Sequence, residues 1–325
     1  MTGAHSQELL LRAYRSMLLI RRFEETVADA FAEGRVVGTA HFCIGQEASA
    51  VGTVEALRPD DLVTSNHRGH GHFLAKGADP GRLMAELFGR ATGYAKGRGG
   101  SQHVADFSIG FLGSHGITAG MIPVATGAAL SQKQLGTGRV VVAFFGDGAT
   151  GQGAFHEAVN IGAAWDLPIV YVCENNLYAM STPVAESFKV TSVADRACAW
   201  GIPGVCVDGN DVEAVYGTLC VAVEKARDGG GPTLVEARTY RHCGHSKSDE
   251  CFYRTDYEEQ CWLERDPLTI AEERIIDREI ATLAELDAMV EGVEAEVAKA
   301  LRFAQDSPEP DPDTVAEDVF ADFTL

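Results

Sequence analysis

Two short apolar runs, at residues 139–145 and 168–173, constrain the fold of this chain more than any other feature of its sequence. Each run is continuous instead of alternating between apolar and polar residues, and a helix is predicted between them at 151–165. Runs of this kind are typical of central parallel strands whose two faces are both covered. The sequence therefore predicts an α/β fold with a doubly wound, mostly parallel sheet flanked by helices.

The alternation of strands and helices continues towards both ends of the chain. Further strands are predicted at 60–66, 203–207 and 233–238, the first leading into a turn rich in histidine, and further helices at 7–34, 46–57, 80–92, 124–135 and 211–227. A glycine-rich stretch at 93–123 has little periodicity, and a loop this long in a compact chain usually has a function. We expect an N-terminal helical segment at 1–60 packed on an α/β domain at 61–265. A C-terminal helical region and tail follow at 266–325, with a long helical stretch at 268–305.

Composition excludes several classes of partner. The net charge of -20 argues against a general surface for nucleic acid or anionic membranes. No stretch of about twenty apolar residues is present that would span a membrane. The eight cysteines are scattered without a C-x-x-C pair, which predicts reduced, mostly buried thiols and a cytoplasmic protein.

A glycine turn, in the segment GDGATG, follows the first apolar run. Gly146, Gly148 and Gly151 fit the G-x-G-x-x-G pattern of dinucleotide-binding proteins. Glu174 ends the next strand, near where a ribose-binding acid belongs. Asp147 counts against this interpretation, because its carboxylate would face the pyrophosphate and like charges repel strongly at low dielectric. A nicotinamide-type oxidoreductase therefore stays a remote alternative.

A metal ion explains Asp147 better than a dinucleotide does. Asn175 and Asn176 end the next strand, and adjacent parallel strands bring their carboxyl ends together. Carboxylate, amide and phosphate oxygens are the ligands that Mg²⁺ prefers. An Asp-Gly turn or an asparagine loop is common on its own. The two together predict a metal that binds a diphosphate, with backbone amides at the following helix start completing the anion site.

Long segments of the chain resemble one family, the alpha subunits of two-chain 2-oxo acid dehydrogenase first components. The similar segments, in order, are GRGGSQH at 97–103, GITAGMIPVATGAAL at 116–130, residues 144–182, VDGNDVEAVY at 207–216 and TYRHCGHSKSD at 239–249. The resemblance covers almost the whole chain. It implies that the domain at 61–265 has a thiamine diphosphate-binding fold, with thiamine diphosphate and Mg²⁺ as cofactors.

The resemblance also assigns individual residues to the cofactor. It implies Mg²⁺ ligands at Asp147, Asn176 and the backbone carbonyl of Tyr178. The metal ligands Asp147 and Asn176 also count among the cofactor-binding positions. The other cofactor-binding positions that it implies are His67, Arg68, Gly116, Ile117, Thr118, Gly148, Ala149 and His245.

Two histidine-bearing segments contain the side chains expected to serve catalysis. His70, in HRGHGH, resembles the active-site histidine near the reacting carbonyl, and His245 resembles the histidine that reaches the diphosphate together with Arg68. Histidine is the side chain best suited to move protons near neutral pH. His67 and His115 stand where the family often has tyrosine and asparagine. HRGHGH is closer to the acetoin type, whereas NNLYAMSTP resembles the branched-chain type, so the carbonyl donor stays open.

The resemblance implies that the chain is catalytically incomplete alone. Activation of the cofactor requires a carboxylic acid on its aminopyrimidine ring, and the beta subunit supplies that glutamate in two-chain members. We interpret Glu47 and Glu55 as structural, because their segment is similar to an alpha-subunit helix. We expect an assembly of two alpha and two beta chains that decarboxylates a pyruvate-like 2-oxo acid and passes the acyl unit to a lipoyl or other carrier protein. The alternative is an acetoin- or ketose-cleaving enzyme of the same family.

Overall fold

The computed structural model describes the chain at residues 3–36, 38–246 and 248–318. Three sequence expectations extend beyond these ranges. Residues 1, 2 and 37 of the expected N-terminal segment and residues 319–325 of the expected C-terminal tail lie outside the described residues, and so does Lys247 in the segment that contains His245. Among the helices in the described ranges, none is both long and apolar enough to cross a membrane.

The central sheet has six strands, and every pairing within it is parallel. Its strands are β1 (Leu62–Thr64), β2 (Phe111–Gly113), β3 (Val141–Gly146), β4 (Ile169–Asn175), β7 (Gly204–Asp208) and β8 (Thr233–Arg238). They lie in the spatial order β2-β1-β3-β4-β8-β7. A separate antiparallel pair is formed by β5 (Tyr178–Ala179) and β6 (Thr182–Pro183). The parallel α/β sheet predicted from the sequence is confirmed.

The two apolar runs are strands β3 and β4 at the centre of the sheet. Val142 and Phe144 belong to one hydrophobic core cluster, whereas Val141 and Phe145 belong to a second cluster. Successive side chains of a strand point to opposite faces, so the two clusters lie on opposite sides of the sheet. Both faces of β3 are therefore buried, which explains why its sequence does not alternate.

Helices cover both faces. They are α1 (Gly3–Ala32), α2 (Glu47–Glu55), α3 (Gly69–Ala75), α4 (Pro80–Leu87), α5 (Met121–Leu135), α6 (Gly153–Ala164), α7 (Val184–Ser187), α8 (Val212–Arg227), α9 (Asp256–Leu263), α10 (Pro267–Asp277) and α11 (Leu283–Asp306). Helices α1, α4, α8 and α11 contribute to the first core cluster, and α5 and α6 contribute to the second.

The structure differs from the sequence prediction in three places. The histidine-rich segment after β1 forms helix α3 instead of a turn, and the glycine-rich stretch at 93–123 contains strand β2. The stretch at 268–305 is not one helix, because α10 ends at Asp277 and α11 begins at Leu283. Thr282 starts α11 with a capping box, in which its side chain accepts from the Glu285 amide and the Glu285 side chain accepts in return.

The N-terminal helix is tied to the rest of the chain by buried charges. Arg21 on α1 donates from Nε to Glu47 Oε1 at 2.6 Å, and its Nη1 lies 2.9 Å from Asp266 Oδ2. Glu47 is fully buried at the start of α2. Its carboxylate joins two helices, which agrees with the structural role that we inferred from the sequence.

Candidate active site

A cavity of about 260 Å³ opens at the carboxyl ends of β1, β3 and β4. In an open parallel sheet this edge is where ligands bind. The lining includes most of the positions predicted from the sequence, namely His67, Arg68, Ile117, Thr118, Asp147, Gly148, Ala149, Asn176, Tyr178 and His245. Residues from five separate parts of the chain therefore converge on one site.

Asp147 lies directly after β3, in a 3₁₀ turn that continues to Gly151. Its side chain is buried, and its Oδ2 atom has no hydrogen-bond partner among the described residues. Burial raises the pKa of this carboxyl to about 6. A buried carboxylate oxygen without a partner is costly to a folded protein, and a bound cation would remove that cost.

Asn176 and Tyr178 face Asp147 from the end of β4. The Asn176 amide donates from Nδ2 to Gln46 Oε1 at 3.1 Å, which directs Oδ1 to the other side, where the Tyr178 amide lies 3.4 Å away. The carbonyl of Tyr178 accepts a hydrogen bond from Arg241 Nη1 at 3.1 Å. Carbonyl and amide oxygens each have two lone pairs, so both groups keep one for a further ligand.

Arg68 and His245 meet at one wall of the cavity. Arg68 donates from Nη1 to the carbonyl of Phe42 at 2.7 Å and from Nη2 to the carbonyl of His245 at 2.9 Å. Burial and the neighbouring Arg241 lower the pKa of Arg68 to about 10, which still leaves it charged at neutral pH. Among the described residues, the side-chain hydrogen bonds of Arg68 and Arg241 go to carbonyls, His245 and a tyrosine hydroxyl, and none goes to a carboxylate.

This set of groups fits a diphosphate bound to a divalent metal. Among the described residues, Arg68 and Arg241 supply two buried positive charges without paired carboxylates, and Asp147 supplies a buried carboxylate whose Oδ2 atom has no hydrogen-bond partner. Gly148 lies so close to β5 that a Cβ atom there would stand 2.8 Å from the Cβ of Ala179. The turn after β3 therefore requires glycine at this position, next to the space that the ligand would fill.

Comparison with known proteins identifies the family. The model of the family "dehydrogenase E1 component" matches residues 15–313. The chain belongs to this family. It is 44% identical over 319 residues to the alpha subunit of acetoin:2,6-dichlorophenolindophenol oxidoreductase from Bacillus subtilis. The aligned residues cover 98% of this chain and 95% of the relative. It is 40% identical to the alpha subunit of pyruvate dehydrogenase E1 component from Rickettsia felis over 97% of each chain.

A third relative is the pyruvate dehydrogenase E1 component subunit alpha of Rhizobium meliloti, with 42% identity over 97% of this chain and 90% of the relative. These similarities confirm the resemblance to the alpha subunits of thiamine diphosphate-dependent 2-oxo acid dehydrogenases. Membership of the E1 family implies thiamine diphosphate as the cofactor. The charges around the cavity fit the diphosphate group of that cofactor.

His70 does not lie with the other predicted residues of this E1 chain. It is absent from the described residues that line the cavity, and both of its ring nitrogens are engaged. Nδ1 lies 2.6 Å from Glu24 Oε1, and Nε2 lies 2.9 Å from the hydroxyl of Ser101. The Glu24 carboxylate also accepts from the backbone amide of Cys43 at 2.8 Å. This geometry favours a role in positioning the neighbouring loops over contact with a substrate.

The glycine-rich segment forms the opposite side of the cavity. Ile117 and Thr118 line it, and the Ile117 side chain is 67% exposed. Gly116 precedes these two residues and is not among the described residues that line the cavity. A Cβ atom added at Gly116 would overlap with Gln102 Oε1. His115 Nδ1 accepts a hydrogen bond from the Ile117 amide at 2.9 Å. The histidine that departs from the common asparagine therefore shapes the loop that carries Ile117 and Thr118.

His41 was missed by the sequence reasoning. Its ring centroid lies 4.6 Å from that of His67 and 4.7 Å from that of His245. Its Nδ1 lies 2.7 Å from the carbonyl of His245. Burial lowers the pKa of His41, so the ring is neutral at neutral pH. A single histidine in the apolar segment AHFCIG has no spacing pattern that would have identified it.

Glu174 was placed by the dinucleotide pattern, but its partners were not foreseen. Its Oε1 lies 3.1 Å from His72 Nε2 and also accepts from Ser49. His72 Nδ1 lies 2.7 Å from Ser65 Oγ, and its ring stacks on Phe144 at 3.8 Å. Burial opposes the charged form of Glu174, but these partners lower its pKa below the usual value. His72 is therefore a buried member of a polar chain beneath the cavity and not a surface histidine.

Proposed function

We propose that this chain is the alpha subunit of a thiamine diphosphate- and Mg²⁺-dependent enzyme that decarboxylates a pyruvate-like 2-oxo acid. The acyl unit then passes to a lipoyl group or another carrier protein. The observation that carries the proposal is the Oδ2 atom of Asp147, which is buried at the carboxyl end of β3 beside Asn176 and has no hydrogen-bond partner in the part of the chain that the structure describes. A nicotinamide-binding protein has no use for a carboxylate at this point of the glycine turn.

The residues at the carboxyl edge of the sheet would hold the cofactor. Asp147, Asn176 and the Tyr178 carbonyl would bind Mg²⁺, and Arg68 and Arg241 would neutralise the diphosphate. When bound, the cofactor supplies the carbanion that attacks the carbonyl carbon of the donor. The contribution of the chain is to bind the diphosphate end, to exclude water from it and to position histidines beside it.

Two histidines beside the cavity present complementary groups. His41 Nδ1 faces a carbonyl oxygen, so it carries the proton and Nε2 is left as an acceptor. His245 Nδ1 lies 3.2 Å from Arg68, which only donates, so the proton of His245 is on Nε2. The pair thus offers one hydrogen-bond donor and one acceptor. A donor stabilises a carbonyl oxygen as it gains charge, and an acceptor receives a proton from a hydroxyl.

The missing group is a carboxylic acid for the aminopyrimidine ring. Among the described residues that line the cavity, the only carboxylates are Asp147 and Glu174. Asp147 is assigned to the metal, and Glu174 is already bonded to His72 and Ser49. This supports a beta subunit as the source of the acid, in an assembly of two alpha and two beta chains.

A direct test is to co-express the chain with a beta subunit and to measure decarboxylation of pyruvate with thiamine diphosphate, Mg²⁺ and an artificial electron acceptor. Activity is expected from the pair and not from either chain alone. A normal rate from the isolated chain would contradict the need for a partner. Binding of nicotinamide cofactors with equal affinity by the protein and by its Asp147→Ala variant would favour the dinucleotide alternative.

A second candidate donor is acetoin. The observation that favours it is the group of His67, His41 and His245 at the cavity, because neutral imidazoles hydrogen-bond the hydroxyl and carbonyl groups of an uncharged hydroxyketone. The similarity to the acetoin-oxidising enzyme of Bacillus subtilis agrees with this observation. The same assay with acetoin, branched-chain 2-oxo acids and ketose phosphates in place of pyruvate separates the candidates by relative kcat/KM.

A further inference from the structure

The three histidines beside the cavity form a second group of potential metal ligands, chemically distinct from the oxygen ligands of Asp147 and Asn176. Each of His41, His67 and His245 offers one ring nitrogen, and these three atoms all lie within 4.8 Å of one another. We propose that they form a binding site for a borderline transition-metal ion such as Zn²⁺, and that an ion bound there obstructs the cavity beside Arg68.

The geometry needs only a small adjustment to reach coordination. Zn–N distances of about 2.0–2.1 Å in a tetrahedral site place nitrogen atoms about 3.4 Å apart, so each ring must shift by roughly 1 Å. The rings come from three separate loops and are only partly buried, with edge-to-face centroid distances of 4.6, 4.7 and 5.6 Å. Rotations about side-chain bonds supply a shift of this size without moving the backbone.

The nitrogens are available in the form that binds a metal. Burial is the main cause that lowers the pKa of His67 to about 2 and that of His245 to about 3, and it also lowers the pKa of His41. No proton therefore competes at neutral pH. His41 donates its Nδ1 proton to a backbone carbonyl, an arrangement common among metal-binding histidines because it directs the other nitrogen to the ion. His67 has no side-chain hydrogen bond to the described residues.

The positive charge of Arg68 disfavours a cation between the three histidines, so metal binding there should depend on whether the cofactor is bound. Arg68 Nη2 donates to His245 Nδ1 at 3.2 Å, but it also donates to the His245 carbonyl, so release of the ring costs one hydrogen bond. A bound diphosphate would offset the positive charge of Arg68. We therefore expect tighter Zn²⁺ binding in the presence of thiamine diphosphate; this coupling rests on the proposed function, whereas the site itself does not.

Mg²⁺ would not fill the histidine site. It prefers oxygen ligands and octahedral geometry, whereas imidazole suits Zn²⁺ and Co²⁺. An excess of Mg²⁺ that saturates the cofactor would thus leave the three rings free. An ion held between them would engage the ring nitrogens that His41 and His245 present to the cavity, and it should therefore inhibit the assembled enzyme even when Mg²⁺ and thiamine diphosphate are saturating.

The test is a titration of the full chain, prepared without a histidine tag, with Co²⁺ in excess Mg²⁺. Visible absorption of Co²⁺ reports imidazole coordination, and calorimetry with Zn²⁺ gives the stoichiometry. We expect one ion per chain and about 100-fold weaker binding in both His67→Gln and His41→Gln. His156→Gln, which removes an exposed histidine on α6, is the matched control and should bind as the unchanged chain does.

Binding that persists in both cluster variants would overturn the proposal, as would the absence of coordination spectra in the unchanged chain. Far-ultraviolet circular dichroism of each variant checks that it folds. Thiamine diphosphate binding is measured separately by calorimetry. Loss of cofactor binding with intact Co²⁺ coordination would refute the proposed function and leave the histidine site standing, and the reverse result would refute only the histidine site.

Discussion

Gly146 and Glu174 are register partners on the adjacent parallel strands β3 and β4. The chain leaves both strands at the same level, so Asp147 and Asn176 emerge at the same edge of the sheet. Hydrogen bonds of the central sheet therefore fix the separation of the two proposed metal ligands. This arrangement leads to predictions that distinguish the effect of the site on folding stability from its effect on ligand affinity.

Replacement of Asp147 by asparagine should abolish metal-dependent cofactor binding and stabilise the chain in the absence of cofactor. The buried carboxylate has an oxygen without a partner, and its pKa is raised from 3.8 to about 6. Removal of that charge should increase the free energy of unfolding by about 1–3 kcal/mol at neutral pH. Urea unfolding of the cofactor-free chain and calorimetry with thiamine diphosphate and Mg²⁺ measure the two effects. Equal losses in stability and binding would show that Asp147 is only structural.

The affinity for a divalent metal should fall with pH below about 6. Folding raises the pKa of Asp147, so the folded chain holds this proton more tightly than the unfolded chain does. The bound proton therefore contributes fully to the free energy of unfolding below pH 3.8, and this contribution is lost as the pH rises through about 6. A metal must displace the proton, which predicts roughly tenfold weaker binding per pH unit below that value. Electron paramagnetic resonance can follow Mn²⁺ binding in the absence of cofactor, so that titration of the diphosphate does not contribute. An affinity that does not change with pH would contradict the assignment of Asp147 as a metal ligand.

Substitution of Arg68 by glutamine should weaken thiamine diphosphate binding by about 10–100-fold, because charge-assisted hydrogen bonds to phosphate are among the strongest in proteins. The matched control is Arg139→Gln, which removes an exposed arginine paired with Asp60 at 3.2 Å and should leave the dissociation constant unchanged. Calorimetry gives both values. A similar loss in the two variants would mean that net charge, and not contact with the diphosphate, is responsible.

His70→Gln should lower stability more than it lowers cofactor affinity. His70 is fully buried and bonded at both ring nitrogens, to Glu24 and Ser101, and glutamine cannot reach both partners. We expect a loss of about 1–3 kcal/mol in the free energy of unfolding. If kcat of the assembled enzyme fell strongly while stability did not change, the sequence-based role of His70 at the reacting carbonyl would be supported.

Much of this site could be anticipated from the sequence because its ligands follow strands. Asp147 and Asn176 each come directly after an apolar run, and parallel strands align their ends. His70 illustrates the limit of such reasoning. It lies between two glycines in a histidine-rich segment, but helix α3 directs it to Glu24 on α1, a contact across 46 positions that no local pattern encodes.

His41 and Arg241 are residues of the site that prediction from the sequence did not find. Both are functional candidates because of residues that are distant in sequence: His41 meets His245, and Arg241 reaches the carbonyl of Tyr178. Their identities alone do not indicate these contacts, and arginine in particular is mostly exposed in folded proteins. The family resemblance carried over the residues of known motifs, whereas these contacts required the packed chain.

Arg241 joins the turn that follows β4 to the loop of His245. Its guanidinium donates to the carbonyls of Tyr178 and Met180 and to the hydroxyl of Tyr253, and that hydroxyl donates to Asp249. The bonds of Arg241 thus hold together the turn that would offer its carbonyl to the metal and the loop that would contact the diphosphate. In a genetic screen, mutations of these two segments should give one shared phenotype, rescued together by a high supply of thiamine.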